Sequence, residues 1–174
     1  MQTTANACAS RKSARKELAG WIGALLLAVI IALPIRAFVF EPIRVDGRSM
    51  QDTLQHGEIM LVTKYEYLWG EPKRFDVVVC RYPNRRETFV KRVVGLPGDV
   101  VSVADGMLTV NGVTYPEAYL TYRPDYTLPD TRVPENGYFV LGDHRDNSND
   151  SHLVGPLARD QIFGHVRAVL YPFG

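Results

Sequence analysis

Apolar and polar residues follow two different patterns along this chain, and the change comes near residue 40. From 18 to 35 it reads LAGWIGALLLAVIIALPI, without a charge. At 1.5 Å rise per residue this is about 27 Å of helix, close to the thickness of a bilayer's hydrocarbon core. Beyond 40 the runs are short, rich in Val and other β-formers, and separated by turn residues. They fall at 59–64, 76–81, 88–94, 107–110, 113–115, 138–141 and 162–170. Asn111-Gly112 supplies the positive φ angles of a type I′ turn, so 107–115 is predicted to be a hairpin. Pro97-Gly98 and the prolines at 116, 124, 129 and 134 interrupt any long helix. The expected architecture is mostly β: an antiparallel-sheet domain over 41–174, with 97–134 as a smaller β lobe. A single N-terminal transmembrane helix over 18–40 precedes it, after a basic stretch over 1–17.

Charge adds direction to this picture. Arg11, Lys12, Arg15 and Lys16 face only Glu17 before the apolar run, which places the N-terminus in the cytoplasm and the β domain outside. A cleavable secretory signal also has a basic start and an apolar run. Here the run ends in Pro34, Arg36 and Phe38 instead of a pair of small residues, which favours a retained anchor. Arg36 would snorkel to the headgroups. Over all 174 residues the net charge is +1, so bulk charge gives no reason to expect nucleic acid as a partner. The two cysteines, Cys8 and Cys80, lie on opposite sides of the membrane in this topology and offer neither a disulfide framework nor zinc spacing.

Three stretches carry candidate chemistry. In Val45-Asp46-Gly47-Arg48-Ser49-Met50, a glycine two residues before a serine lets the backbone turn and present the hydroxyl. In Phe89-Val90-Lys91-Arg92-Val93-Val94, strand alternation puts Phe89, Lys91 and Val93 on one face. Apolar neighbours disfavour an ammonium and move a lysine toward the neutral form that a base requires. The third stretch, 142–155, contains Gly142-Asp143-His144-Arg145 and then Ser148-Asn149-Asp150-Ser151-His152, dense in hydrogen-bonding groups. Read as a calcium loop it fails, because the sharp-turn glycine position is Ser151 and the twelfth position is Leu157.

An anchor, a Ser-Met box, Lys-Arg-Val-Val-Gly-Leu-Pro-Gly-Asp and a Gly-Asp…Ser-x-Asp-Ser box, in this order, resemble bacterial type I signal peptidases from the anchor almost to the C-terminus. The resemblance implies a membrane-bound serine endopeptidase that removes signal peptides from exported precursors through an acyl-enzyme. Ser49 would be its nucleophile and Lys91 its general base, with no cofactor or metal. Ser148 and Asp150 match residues that orient the lysine and brace the site, and Met50 falls beside the substrate. The implied partners are precursor proteins, membrane lipid and a nearby translocon. Cleavage would follow small residues at positions −3 and −1. Three departures stand out: Asp52 where many relatives carry proline, Gly47 where some carry an oxyanion-binding serine, and His152 where an arginine is expected to pair with Asp150. Ser49 follows Phe40 by nine residues, at most about 30 Å of chain, so the site must stay near the membrane surface. Tyr65, Tyr67, Leu68 and Trp69 would pack in the core or dip into the interface. Rival readings are a hydrolase triad of Ser49, Asp150 and His144 or His152, a sortase-like enzyme using Cys80, a self-cleaving repressor-like Ser–Lys protein, and an anchored domain without catalysis.

Overall fold

The computed structural model describes residues 3–34, 40–83 and 85–171. The chain divides into two units, 1–39 and 40–174. The first contains one helix, α1 (Thr3–Pro34), which begins well before the apolar run. Its segment Glu17–Pro34 has a mean hydropathy of 2.1, and none of it is buried within the structure. Leu18, Trp21, Leu25 and Ile30 are each more than half exposed. Residues 35–39, including Arg36, lie outside the described residues.

The second unit consists of two antiparallel sheets. Its elements are β1 (Phe40–Arg44), β2 (Ile59–Thr63), α2 (Glu66–Trp69), β3 (Val77–Cys80), β4 (Phe89–Gly95), β5 (Val100–Ala104), β6 (Met107–Val110), β7 (Val113–Tyr115), β8 (Leu128–Arg132), β9 (Gly137–Leu141), α3 (Ser151–Val154), β10 (Leu157–Ala158) and β11 (Ile162–Tyr171). The larger sheet has the order β1-β2-β11-β3-β4-β9-β10, and the smaller one β7-β6-β5-β8. The hairpin forms in the expected register, with Val110 opposite Val113 and positive φ at both Asn111 (52°) and Gly112 (77°).

Strand alternation distributes the core. Val78, Cys80, Val93 and Val140 point into one cluster, whereas Val79 joins a second with Met50, Leu54, Met60 and Val62. Val94, Phe139 and Leu141 meet Val101, Val103, Leu108 and Val110 in a third cluster. The central strands are therefore buried on both faces, and they read as continuous apolar runs instead of alternating ones. Two strands carry a proline: Pro42 in β1 and Pro129 in β8. Both strands lie at the edge of their sheet, where a missing N–H need not break a ladder. The aromatic stretch divides between two environments. Tyr67 is buried and donates to Asp76 Oδ2 at 2.9 Å, while Leu68 and Trp69 are 58% and 88% exposed.

Candidate active site

Ser49 sits in the turn that leaves β1. Gly47 has φ 115°, a conformation that suits glycine, and the Val45 N–H donates to the Glu58 carbonyl at 2.8 Å. The Ser49 carbonyl accepts from the His144 N–H at 3.0 Å, which ties the serine turn to the third stretch. Lys91 projects from the middle of β4, opposite Val78 in β3. It is 1% exposed, and its Nζ lies 2.6 Å from Ser49 Oγ and 5.9 Å from the centre of the Phe89 ring. Burial pushes the Lys91 amine below the usual lysine range, while the Asp150 carboxylate, the Cys80 thiol and Asp143 draw it partly back.

Arg92, the next residue, points to the opposite face. It grips Asp143 through Nε (2.9 Å to Oδ1) and Nη2 (2.6 Å to Oδ2), a nearly buried bidentate pair. Thr53 donates to the same carboxylate, and the guanidinium lies 4.0 Å from the centre of the Tyr119 ring. The Asp143 N–H donates in turn to Met50 Sδ at 3.4 Å. Met50 thus serves the core at 2% exposure while also bordering the cleft beside Ser49. That cleft has a volume of about 520 Å³ and lies between residues 43–50 and 87–90. A hollow of about 590 Å³ in the smaller lobe, bordered by Met107, Tyr115 and Tyr122, shares no lining residue with it.

Asp150 is fully buried at the N-terminus of α3. Its Oδ2 accepts from the Gly142 N–H at 2.7 Å, and its Oδ1 accepts from the His152 N–H at 3.2 Å and contacts His152 Nδ1 at 2.6 Å. His152 and Asp150 therefore pair where an arginine partner would be expected. Ser148 lies beside this carboxylate in sequence, two residues before it. Its Oγ is buried with no hydrogen-bond partner among the described residues, so no bond to Lys91 is present. It lies against Gly142, where an added Cβ would collide with Ser148 Oγ and lie 2.5 Å from the Ser49 carbonyl oxygen.

The rival assignments fare differently. Among the described residues, the side-chain partner of Ser49 Oγ is Lys91 and neither histidine. His144 holds Ser49 by its main chain, and its Nδ1 is buried without a partner among the described residues. Cys80 is 0% exposed, and burial pushes its thiol up to about 12, far from the thiolate that a cysteine nucleophile requires.

Several supporting residues escaped the sequence reading. Asp143 had a usable signal, since an arginine on the buried face of an apolar strand demands a carboxylate partner. Glu117 had none. It forms a double hydrogen bond with Arg145, and both side chains are almost wholly buried, yet they lie 28 positions apart. Asp52 also has a defined place, with its Oδ2 accepting from the Thr121 N–H at 2.7 Å.

Residues 18–171 match the family model described as signal peptidase, peptidase S26. The chain belongs to the signal peptidase I family. A signal peptidase I from Leptolyngbya laminosa is 36% identical over 97% of this chain and 87% of its own length. One from Bacillus licheniformis is 38% identical over 91% of each chain. A crystal structure of a signal peptidase I from Enterococcus faecalis V583 superposes with a TM-score of 0.51 at 32% identity, covering 56% of this chain and 97% of that one. Membership of the signal peptidase I family makes this chain a peptidase, a hydrolase by class, and the antiparallel-sheet architecture agrees with it.

Proposed function

We propose that this peptidase removes signal peptides from exported precursors with Ser49 as nucleophile and Lys91 as general base. The observation that carries the reading is the 2.6 Å approach of a buried lysine amine to a partly exposed serine at the edge of a cleft. A lysine in water, with its ordinary pKa of about 10.4, is almost wholly protonated near neutral pH and cannot accept a proton. Burial on the apolar face of β4 shifts Lys91 toward the neutral amine.

The neutral amine takes the hydroxyl proton as Oγ attacks the scissile carbonyl carbon. The resulting ammonium then protonates the leaving amine, the C–N bond breaks and an ester to Ser49 remains. Water attacks that ester while Lys91 accepts its proton. The ester C–O bond breaks, and the proton returns to Oγ. The Ser49 N–H donates to the developing oxyanion. Asp150 and His152 brace the lysine side of the site, Ser148 packs the floor beside Gly142, and Met50 borders the substrate. The reaction uses no metal or cofactor.

The segment 18–40 anchors the protein as a single span, with 1–17 in the cytoplasm and 41–174 outside. The site is thereby held near the surface where precursors emerge from the translocon. The reading is tested with the full chain in liposomes and a precursor bearing a signal peptide. Wild type should cut after a small residue, and Ser49→Ala should leave the precursor intact. Cleavage by Ser49→Ala at the wild-type rate would refute it.

A further inference from the structure

Imidazoles as a class change charge near neutral pH and guanidiniums do not, and His152 stands beside Asp150 where the resemblance leads one to expect an arginine. Its ring is held on two sides. Nδ1 contacts Asp150 Oδ1 at 2.6 Å, and the Tyr126 ring stacks on it at 4.4 Å with an interplanar angle of 11°. The side chain is 14% exposed, so protons reach it from solvent, while the Asp150 side chain is 0% exposed. Asp150 is in turn the strongest of the charges drawing the Lys91 amine toward its protonated form.

Of the other charges facing this corner, Asp143 also acts on Lys91 but more weakly than Asp150, and it is held in a bidentate pair with Arg92. Arg145 and Glu117 neutralise each other as a buried pair. Asp146 is exposed, and on the β3 side Cys80 and Tyr82 are kept uncharged by burial. Asp150 is thus the buried charge in direct contact with the imidazole.

We propose that His152 is a positioning residue that acts on Lys91 through Asp150, so that the charge on the imidazole sets how readily Lys91 stands neutral. This rests on the reading of Lys91 as the base. A cationic imidazole balances Asp150 and lets Lys91 lose its proton at lower pH. A neutral imidazole leaves the Asp150 charge acting on the ammonium, so Lys91 holds its proton to higher pH. In wild type the two ionisations oppose each other: as pH rises, loss of the His152 proton works against loss of the Lys91 proton. The acid limb of kcat/KM, which reports the free enzyme's base, is then shallower than a single ionisation gives.

The test is the pH dependence of kcat/KM for the full-length enzyme in detergent micelles, using a synthetic peptide that spans a signal cleavage site. His152→Arg fixes the charge and His152→Gln removes it. His152→Lys and His152→Asn serve as a second pair should either of the first melt early. The acid limb of the cationic variant should lie about half a pH unit or more below that of the neutral variant, each with unit slope. Wild type should give the shallower limb. Coincident limbs in the two variants, with Lys91→Met inactive, would overturn this inference alone. A Lys91→Met enzyme that cleaves like wild type would remove the lysine base, and this inference with it.

Discussion

Adding one methyl group at Gly142 should slow the enzyme on the order of 100-fold while leaving every proposed catalytic side chain chemically unchanged. An alanine Cβ there would lie 2.5 Å from the Ser49 carbonyl oxygen and 2.6 Å from Ser148 Cβ, against about 3.4 Å for ordinary contact. The serine backbone must therefore retreat by roughly 0.9 Å, the difference between those distances. It cannot do so freely, because the same carbonyl accepts the His144 N–H at 3.0 Å. Ser148 Oγ can rotate away, but its Cβ cannot. Gly142 does not occupy the left-handed region, so the effect is overpacking and not backbone strain. Overpacking of this kind costs about 1–3 kcal/mol, which for a domain of this size lowers Tm by roughly 3–11 °C. Displacing a nucleophile by about 1 Å costs on the order of 100-fold in rate. The assay is kcat/KM on a signal-spanning peptide, measured beside a thermal melt, for Gly142→Ala. Activity within about threefold of wild type at an unchanged Tm would refute the close approach of Gly142 to Ser49.

Cys80→Ala should retain cleavage, and the wild-type thiol should resist alkylation until the protein is denatured, as expected of a buried thiol pushed up to about 12. Loss of activity in a folded Cys80→Ala enzyme would contradict this. Glu117→Ala leaves the Arg145 guanidinium buried without its carboxylate, which should cost about 3–5 kcal/mol and appear as a large fall in Tm; an unchanged melt would contradict the buried pair. At Glu66, burial raises the carboxyl, but hydrogen bonds from Arg167, Thr63 and His165 outweigh it and hold the group at about 2, against 4.5 ordinarily. Its stabilising contribution is therefore complete above about pH 4.5 and lost as pH falls toward 2. Glu66→Gln should flatten that part of the acid-stability curve measured by thermal melts, and an identical curve would argue against the assignment.

How much of this was legible in the sequence depended on where each signal resided. The hairpin was legible because Asn111-Gly112 encodes its turn locally, and the faces of β4 because period-2 alternation separates Lys91 from Arg92. Strands β1 and β8 were not, since Pro42 and Pro129 read as breakers until the fold places both strands at sheet edges. β10, two residues long, is too short to leave a pattern. The proximity of Ser49 and Lys91 was legible only as a resemblance, because 42 positions separate them and no local rule joins them. The pairs Arg92–Asp143 and Arg145–Glu117 arise from topology in the same way. Ser148 was singled out by the resemblance as a residue that orients the lysine, and the buried hydroxyl without a partner among the described residues is a feature that no local pattern announces.

Whether a neutral Lys91 removes the Ser49 proton is decided by Lys91→Met. Methionine keeps the length and apolar packing of a side chain that is 1% exposed while deleting only the amine. Precursor cleavage in lipid and a thermal melt should be measured side by side. The expected result is a folded variant with no detectable cleavage. A folded Lys91→Met enzyme that still cuts the precursor would contradict it.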